Sequence, residues 1–543
     1  MKIPALRTVR RAVAAVALVW ALALFVDFPG VLPAKWTAAI AEIQFVPSAL
    51  RALAGLGLAG FVLWIAVTLA AGRIYCSSVC PLGIFQDVVW HVRRRIFPTH
   101  LKFSRPQNTL RFAILLAVVC ACAGGWWLLL SLLDPYSIFG RISAGVIRPS
   151  VIALNNLLVP LAGAAGVHAM FRATVPPVFT ISAALALASL VVVGALAAWR
   201  GRIFCNAICP VGCFLGVLSK RAAFRLEISK SLCEKCGECL YACKAQCIDL
   251  KAQEIDFSRC VACFDCVAAC DRSGIGFRPT WTRPSGPPAR LSGRPTDPVL
   301  RRTLLAAALL PLAAPAAALA KKAEAHGPEK RGKRHGEDDA DGDDGHRGKH
   351  GGKQGSAPPA MPPGAVSLDR FLDRCTACGL CVANCPTQVL KPAFLEYGWR
   401  GFLKPRLDPE AGFCNYDCTV CIAICPTGAL EKLPVGVKRR TQLGKAEFHK
   451  GHCVVHTDGT DCAACSEHCP TKAVDTVPYR GNLLLPKVDE SLCIGCGACE
   501  FACPVRPKRA IRVRGQNIQI TLNPPPRPEP AAAPAGQKND FPF

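Results

Sequence analysis

The chain has 543 residues, 51% of them hydrophobic, with 32 cysteines and a formal net charge of +26 at pH 7. Most of the cysteines stand two or three residues apart, which argues against a disulfide framework: near neighbours cannot staple distant segments, but they can surround one metal centre. Nor does the charge indicate nucleic acid, because much of the Lys and Arg flanks apolar spans, and six thiolate-bound clusters of about −2 each would lower the total to about +14.

In chain order, four stretches read as spanning helices: Ala12–Val31, Leu53–Ala71, Leu110–Leu133 and Val178–Trp199. Each approaches the roughly 20 apolar residues that a bilayer core requires. Arg7, Arg10 and Arg11 precede the first, Arg93–Arg95 follow the second, and Lys220, Arg221 and Arg225 follow the fourth. The positive-inside bias puts these clusters on the cytoplasmic side. A fifth stretch, Val151–Met170, carries Asn155, Asn156, Pro160 and His168 and reads as a periplasmic re-entrant or interfacial segment.

The crossings are then even in number. "GRIYCSSVCPLG" (72–83) and "GRIFCNAICPVG" (201–212) therefore stand on one face, the cytoplasmic one. Proline after the second cysteine starts a helix with Cys80 or Cys209 at its cap, where the dipole favours a thiolate or an anionic cluster. The repeat predicts two pseudo-symmetric halves that bring Cys76, Cys80, Cys205 and Cys209 together. They form a candidate extra redox site: one further Fe–S centre, redox thiols or a soft-metal site.

Past Lys230 come "CEKCGECLYAC" and "CVACFDCVAAC". In such motifs three cysteines hold one cluster and the fourth reaches across to its partner. Cys233, Cys236 and Cys239 should therefore combine with Cys270, and Cys260, Cys263 and Cys266 with Cys243. Lys244 and Asp271 stand where proline usually follows the fourth cysteine, and Cys247 is surplus. A Pro-rich linker, 279–299, leads to residues 300–320, whose Arg301–Arg302, apolar run and terminal Ala318-Leu-Ala320 read as a twin-arginine export signal or an anchor helix. Residues 321–364 are charged, Gly-rich and of low complexity, with His326, His335, His346 and His350. They read as a disordered, solvated tether rather than a metal site.

The second cysteine block, 365–515, holds four motifs: Cys375, Cys378, Cys381 and Cys385; Cys414, Cys418, Cys421 and Cys425; Cys453, Cys462, Cys465 and Cys469; and Cys493, Cys496, Cys499 and Cys503. The second has one residue added in its first gap, and the third has a long first gap that a loop must close. Residues 516–543 read as a disordered tail. Four-cysteine sites also hold zinc, but three close cysteines plus a fourth, six times over, form an iron–sulfur pattern. The expected fold is an α-helical membrane bundle (residues 1–222; about four spanning helices plus a re-entrant segment) with two α+β bacterial-ferredoxin-like domains, a two-cluster one at 223–278 and a four-cluster one at 365–515.

The paired "GRI[YF]CxxxCP[LV]G" motifs on four spans, with a two-cluster ferredoxin behind, resemble the NapH and MauN ferredoxin-type membrane proteins. The part from Arg301 onward resembles their exported partners, the NapG and MauM ferredoxins, so that the chain reads as both partners fused. It departs from the export pattern in lacking Ser or Thr before Arg301 and in placing Leu304 where Phe is common. In four-cluster ferredoxin subunits, motifs in this order pair outer with outer and inner with inner. That implies Cys503 on the first cluster, Cys385 on the fourth, Cys469 on the second and Cys425 on the third.

The resemblance implies a multi-pass protein of the bacterial inner (cytoplasmic) membrane that passes electrons from the quinol pool to a periplasmic cytochrome or reductase. The first ferredoxin domain would be cytoplasmic and the second periplasmic. Spacing by itself gives only electron transfer at a membrane; the resemblance adds a quinol dehydrogenase component that acts as an electron carrier rather than a terminal catalyst. Trp126, Trp127, Asp134, Tyr136 and His168 lie near the periplasmic end, where they can stack on a ring or move protons, although interfacial aromatics commonly serve as anchors. Two alternatives remain: a membrane copper reductase, which shares the paired CxxxCP motifs but leaves the four-cluster block unexplained, and a maturation factor that supplies electrons while a periplasmic enzyme is assembled.

Six cubanes require about 24 iron and 24 sulfide per chain, more if the membrane cysteines hold a cluster. Anaerobic iron and acid-labile sulfide analysis should return these values, and near-stoichiometric zinc with little iron would overturn the assignment.

Overall fold

A basic first part ending at Arg11, followed by an apolar run from Ala12, makes the first element, helix α1 (Ile3–Val26), 24 residues long and so about 36 Å from end to end. The computed structural model describes residues 3–27, 30–97, 103–164, 171–174, 180–280 and 357–523. The 300–320 segment, the four linker histidines and His168 lie outside the described residues.

Glycines shorten two of the expected spans. Gly55 and Gly57 turn at φ +71° and +148°, so that helix α2 covers Ala59–Ala71 rather than starting at Leu53. Gly124 and Gly125, the latter at φ +79°, end helix α3 (Asn108–Ala123) and leave Leu128–Leu133 as a separate short helix. Helix α4 runs from Pro135 to Ala164, continuous through a π-turn at Ser143–Ile147, and helix α5 covers Thr180–Arg200.

Among the described residues, three helices are long and apolar enough to cross a membrane: Leu6–Val26, Pro135–Ala164 and Ile181–Arg200. The expected count of about four spans plus a re-entrant segment is met in part. Two of the four are shorter, and much of Val151–Met170 belongs to a 30-residue helix. Outward-facing Val13, Val16, Val62, Leu116, Leu187 and Val191 are exposed, an apolar surface of the kind that a membrane or a partner covers.

Four of these helices connect the two cysteine-rich blocks, in alternating direction. The start of α1 pairs Arg7 and Arg11 with Asp265 of the first block, both at 3.3 Å. Near its other end, the Leu24 carbonyl accepts from Asn384 of the second block at 2.9 Å. Just before α2, Leu56 lies against Gly428 of the second block, and the Leu69 carbonyl near the end of α2 accepts from the Ala223 amide. At the start of α3, Arg111 donates to Ser258, and the short helix after it reaches Trp399–Gly401. Ser182 and Ala183 of α5 share a cavity with Ala377 and Gly379, and past its end the Arg202 amide donates to the Lys244 carbonyl. The two blocks thus sit at opposite ends of the bundle.

Each block is built from short helices and two-stranded antiparallel pairs. Phe224–Ile228 pairs with Ile275–Pro279 and closes the first block end to end. In the second, Leu390–Pro392 pairs with Pro405–Leu407, Val474–Pro478 with Leu484–Val488, and Thr441–Phe448 with Ile511–Thr521. The second block exceeds both of its expected boundaries. Ala360 and Met361 are buried in its core, although residues to 364 read as tether. The last strand runs to Thr521, although residues from 516 read as tail. Buried Ile511 and half-buried Val513 alternate with Arg512 and Arg514 as a half-covered strand requires, whereas Ile518 and Ile520, past a register shift after Gly515, are exposed.

A buried ionic cluster locks the first block onto the bundle. Arg202 grips Asp87 through two bonds of 2.6 Å, Lys244 reaches it at 2.7 Å, and Arg10 lies 3.6 Å away. Lys244 also pairs with Asp265 at 3.2 Å. The residue that replaces the usual proline is therefore the lysine that bridges the block to the bundle. Burial works against ionisation of Asp87, but Arg202 and Lys244 hold its carboxyl well below the usual range. Asp87→Ala would strand buried cations, at a cost of about 3–5 kcal/mol. Thermal unfolding should show that loss, whereas Glu490→Ala, at the exposed Lys445–Glu490 pair, should cost less than about 1 kcal/mol.

Candidate metal centres

The two CxxxCP repeats converge. Cys76 lies in a short helix, Ile74–Ser78, and Cys205 in a π-turn, Phe204–Ile208. Cys80 and Cys209 cap the helices that begin at Pro81 and Pro210. All four thiols are at most 4% exposed and lie within electrostatic reach of one another. Gln86 donates to the Cys205 sulfur at 3.2 Å, and the Gly212 amide donates to that of Cys209 at 3.3 Å.

The arginines of the two repeats are exchanged. Arg202 of the second donates to the Cys76 carbonyl of the first at 2.6 Å, and Arg73 of the first donates to the Gly212 carbonyl of the second at 2.8 Å. A Cβ on Gly83 would collide with the Cys76 carbonyl, and one on Gly212 with the Cys205 carbonyl, so both glycines are fixed by close approach. Sequence reasoning missed Arg73, Arg202, Gln86 and Asp87. The signal was present for the arginines, since each repeat opens on Gly-Arg.

In the first block, Cys233, Cys236, Cys239 and Cys270 line one cavity of about 170 Å³. Cys243, Cys260, Cys263 and Cys266 line a second, smaller one. This grouping is the expected one. The surplus Cys247 joins the second group, its sulfur 3.6 Å from that of Cys243. Burial and the neighbouring sulfurs of Cys233, Cys236 and Cys270 push the Cys239 thiol up to about 11. Loading a thiolate-bound cluster must therefore release protons.

The second block corrects the expected outer–outer and inner–inner pairing. Cys425 approaches Cys375, Cys378 and Cys381, and Cys385 approaches Cys414, Cys418 and Cys421. Cys503 lines a cavity with Cys453, Cys462 and Cys465, and Cys469 approaches Cys493, Cys496 and Cys499. Neighbouring motifs exchange their fourth cysteine because their short helices pack pairwise, Leu380–Ala383 on Val420–Ile424 and Ala464–Glu467 on Ala498–Ala502.

The loops fit an anionic cluster. In four motifs the residues flanking the second cysteine take positive φ: Lys235 and Gly237, Ala262 and Phe264, Ala377 and Gly379, Gly495 and Gly497. Such turns aim successive amides into one concavity, an anion-binding nest. The two irregular motifs, around Cys418 and Cys462, lack this pair. Sulfurs already accept backbone N–H groups, Cys260 from Ala262 at 3.4 Å, Cys270 from Gly274 at 3.2 Å and Cys493 from Ala446 at 3.4 Å. A zinc ion would hold four sulfurs about 2.3 Å from one point. Among the described residues, no three His, Cys, Asp or Glu side chains converge as a single ion requires.

The residues named near the second block separate. Trp126 is exposed, whereas Asp134 and Tyr136 are buried. Asp134 caps the helix at Pro135, accepting from the Tyr136 and Ser137 amides and from the Ser137 hydroxyl.

Comparison with known proteins agrees with this inventory. A family model described as a 4Fe-4S binding domain matches residues 53–100 and 182–229, the two CxxxCP repeats. A second 4Fe-4S binding domain model matches 486–508, and a 4Fe-4S dicluster domain model matches 256–389. The methylamine utilization ferredoxin-type protein MauM of Methylobacillus flagellatus is 34% identical over 171 residues, 30% of this chain and 70% of the relative. The ferredoxin-type protein NapF of Escherichia coli K12 is 28% identical over 144 residues, 26% of this chain and 79% of the relative. MauN of Methylobacillus flagellatus is 26% identical over 194 residues, 34% of this chain and 55% of the relative. No solved structure matches.

The pairing can be read from iron loss. Cys375→Ser and Cys425→Ser should each remove about four iron, and the double variant no more, because both act on one cluster. Cys414→Ser with Cys425→Ser should remove about eight. Loss of about eight iron in Cys375→Ser with Cys425→Ser, and of only about four in Cys453→Ser with Cys425→Ser, would restore the inner–inner pairing.

Proposed function

The chain belongs to the MauM ferredoxin-type proteins, with a NapH/MauN-like part joined to a MauM-like part, and from that premise we propose that it carries electrons from membrane quinol to a periplasmic redox enzyme. That it is an iron–sulfur electron carrier follows from the family. Quinol, the periplasmic acceptor and the sidedness are the further reading.

The placement of the two cysteine-rich blocks at opposite ends of α1 carries this reading, since the helix is long and apolar enough to cross a membrane. The first block lies at the end marked by Arg7, Arg10 and Arg11, the cytoplasmic end by the positive-inside bias. The second then lies outside, on the far side of a segment carrying Arg301 and Arg302.

The 24 ferredoxin-type cysteines would hold six [4Fe–4S] clusters, and Cys76, Cys80, Cys205 and Cys209 one more. A cluster of this kind supplies one-electron capacity at a potential set by its surroundings. The chain's own residues provide those surroundings: Arg73 and Arg202 place positive charge beside the four membrane thiols, and Gln86 fixes the Cys205 sulfur. Arg73 also donates to the Cys260 carbonyl at 3.3 Å, so the four-thiol site and the nearer group of the first block share a hydrogen-bonded side chain. The match of the repeats to a 4Fe-4S family model supports a cluster there over copper.

In proteoliposomes under anaerobic conditions, a reduced quinol analogue should bleach the cluster absorption without added copper. Bleaching that required copper would favour a copper reductase. Protease added to spheroplasts should cut residues 321–364 in the parent and spare them when Arg301 and Arg302 are changed to Lys. A protected parent linker would put both blocks inside and overturn the trans-membrane reading.

A further inference from the structure

One of the six clusters assigned above is seated directly on the membrane helices. Gly140 of α4 lies so close to the Cys378 loop that a Cβ there would collide with the Cys378 carbonyl, and a Cβ on Gly379 would lie 3.6 Å from Ala144. Tyr136, Phe139, Cys378, Leu380 and Ile424 belong to one apolar core. Within it Tyr136 is 1% exposed, with its ring 6.1 Å from that of Phe25.

Among the described residues, the Tyr136 hydroxyl has no hydrogen-bond partner. Its natural acceptor, Asp134, is taken: one oxygen accepts from the Tyr136 amide at 3.3 Å, and the other from the Ser137 amide at 2.9 Å and the Ser137 hydroxyl at 2.6 Å. The neighbouring Arg141 is spent on the Ser131 and Leu132 carbonyls. Besides Asp134, the Cys378 and Cys425 thiols act electrostatically on the phenol. A buried hydroxyl without a partner is costly, and native structures rarely leave one without a reason.

We propose that Tyr136 is a donor to the cluster held by Cys375, Cys378, Cys381 and Cys425, so that a membrane helix, rather than the ferredoxin block, sets the potential of the cluster at their junction. The inference rests on the cluster assignment of the preceding section. A hydroxyl that points at cluster sulfur favours the more negative, reduced state and so raises the reduction potential. It makes this cluster easier to reduce than it would be without the hydroxyl, and the contact at Gly140 keeps the donor in register.

Tyr136→Phe keeps the ring and removes only the hydroxyl. In the full chain, redox titration followed by electron paramagnetic resonance should show one cluster shifted to lower potential, the others unmoved and the iron content unchanged. The shifted signal should be the one lost in Cys425→Ser. In the parent, deuterium exchange should reveal an exchangeable proton coupled to that signal, absent in Tyr136→Phe. Full iron with every potential unmoved and no change in exchangeable coupling would overturn the proposal while leaving the cluster assignment standing. Parent protein without cluster iron would overturn both.

Discussion

The exchange of arginines between the two CxxxCP repeats is the constraint from which the rest of the arrangement follows. Neither repeat completes its own turn: the first needs Arg202 on its Cys76 carbonyl, and the second needs Arg73 on its Gly212 carbonyl. Because each arginine is buried, leaving either bond unmade would strand a charged group in a medium that cannot solvate it. The halves must therefore come together before either is satisfied, and bringing them together gathers the four thiols. Gly83 and Gly212 permit the approach by having no side chain where the other strand of the turn passes.

The same arginines tie the bundle to the first block. Arg202 meets Asp87, which Lys244 shares, and Arg73 meets the Cys260 carbonyl. One continuous set of buried polar contacts thus joins both repeats, α1 through Arg10, and the nearer cysteine group of the first block. Such a network specifies a unique geometry when every member has a partner. The second block is attached differently, by close packing at Gly140 and by a few peripheral bonds such as that from Asn384 to the Leu24 carbonyl. Charge fixes one end of the bundle and shape the other.

This division suits a carrier with one fixed and one outward-reaching end. Among the described residues, the cysteine groups of the second block that pack into the core of the bundle are those paired through Leu380–Ala383 and Val420–Ile424. The groups around Cys453 and Cys493 belong to a separate core.

The sequence by itself determined what depends on local spacing. Three cysteines at i, i+3 and i+6 can only wrap one centre, proline after Cys80 and Cys209 can only begin a helix, and the repeated Gly-Arg and CP-x-G announce two equivalent halves. The grouping of the first block was legible for the same reason, since two adjacent motifs leave a single way to exchange. In the second block, four motifs allow several exchanges, and only the packing of neighbouring short helices decided that Cys425 meets Cys375 and Cys503 meets Cys453. Tertiary structure also decided the ends of the spans, where Gly57 and Gly125 prevailed over hydropathy, and the role of Lys244, which looked like a lost proline until Asp87 arrived from 157 residues away. Spacing encodes the loop around a metal because that loop is short. Which distant side chain completes a site depends on how helices pack, and no local pattern carries that information.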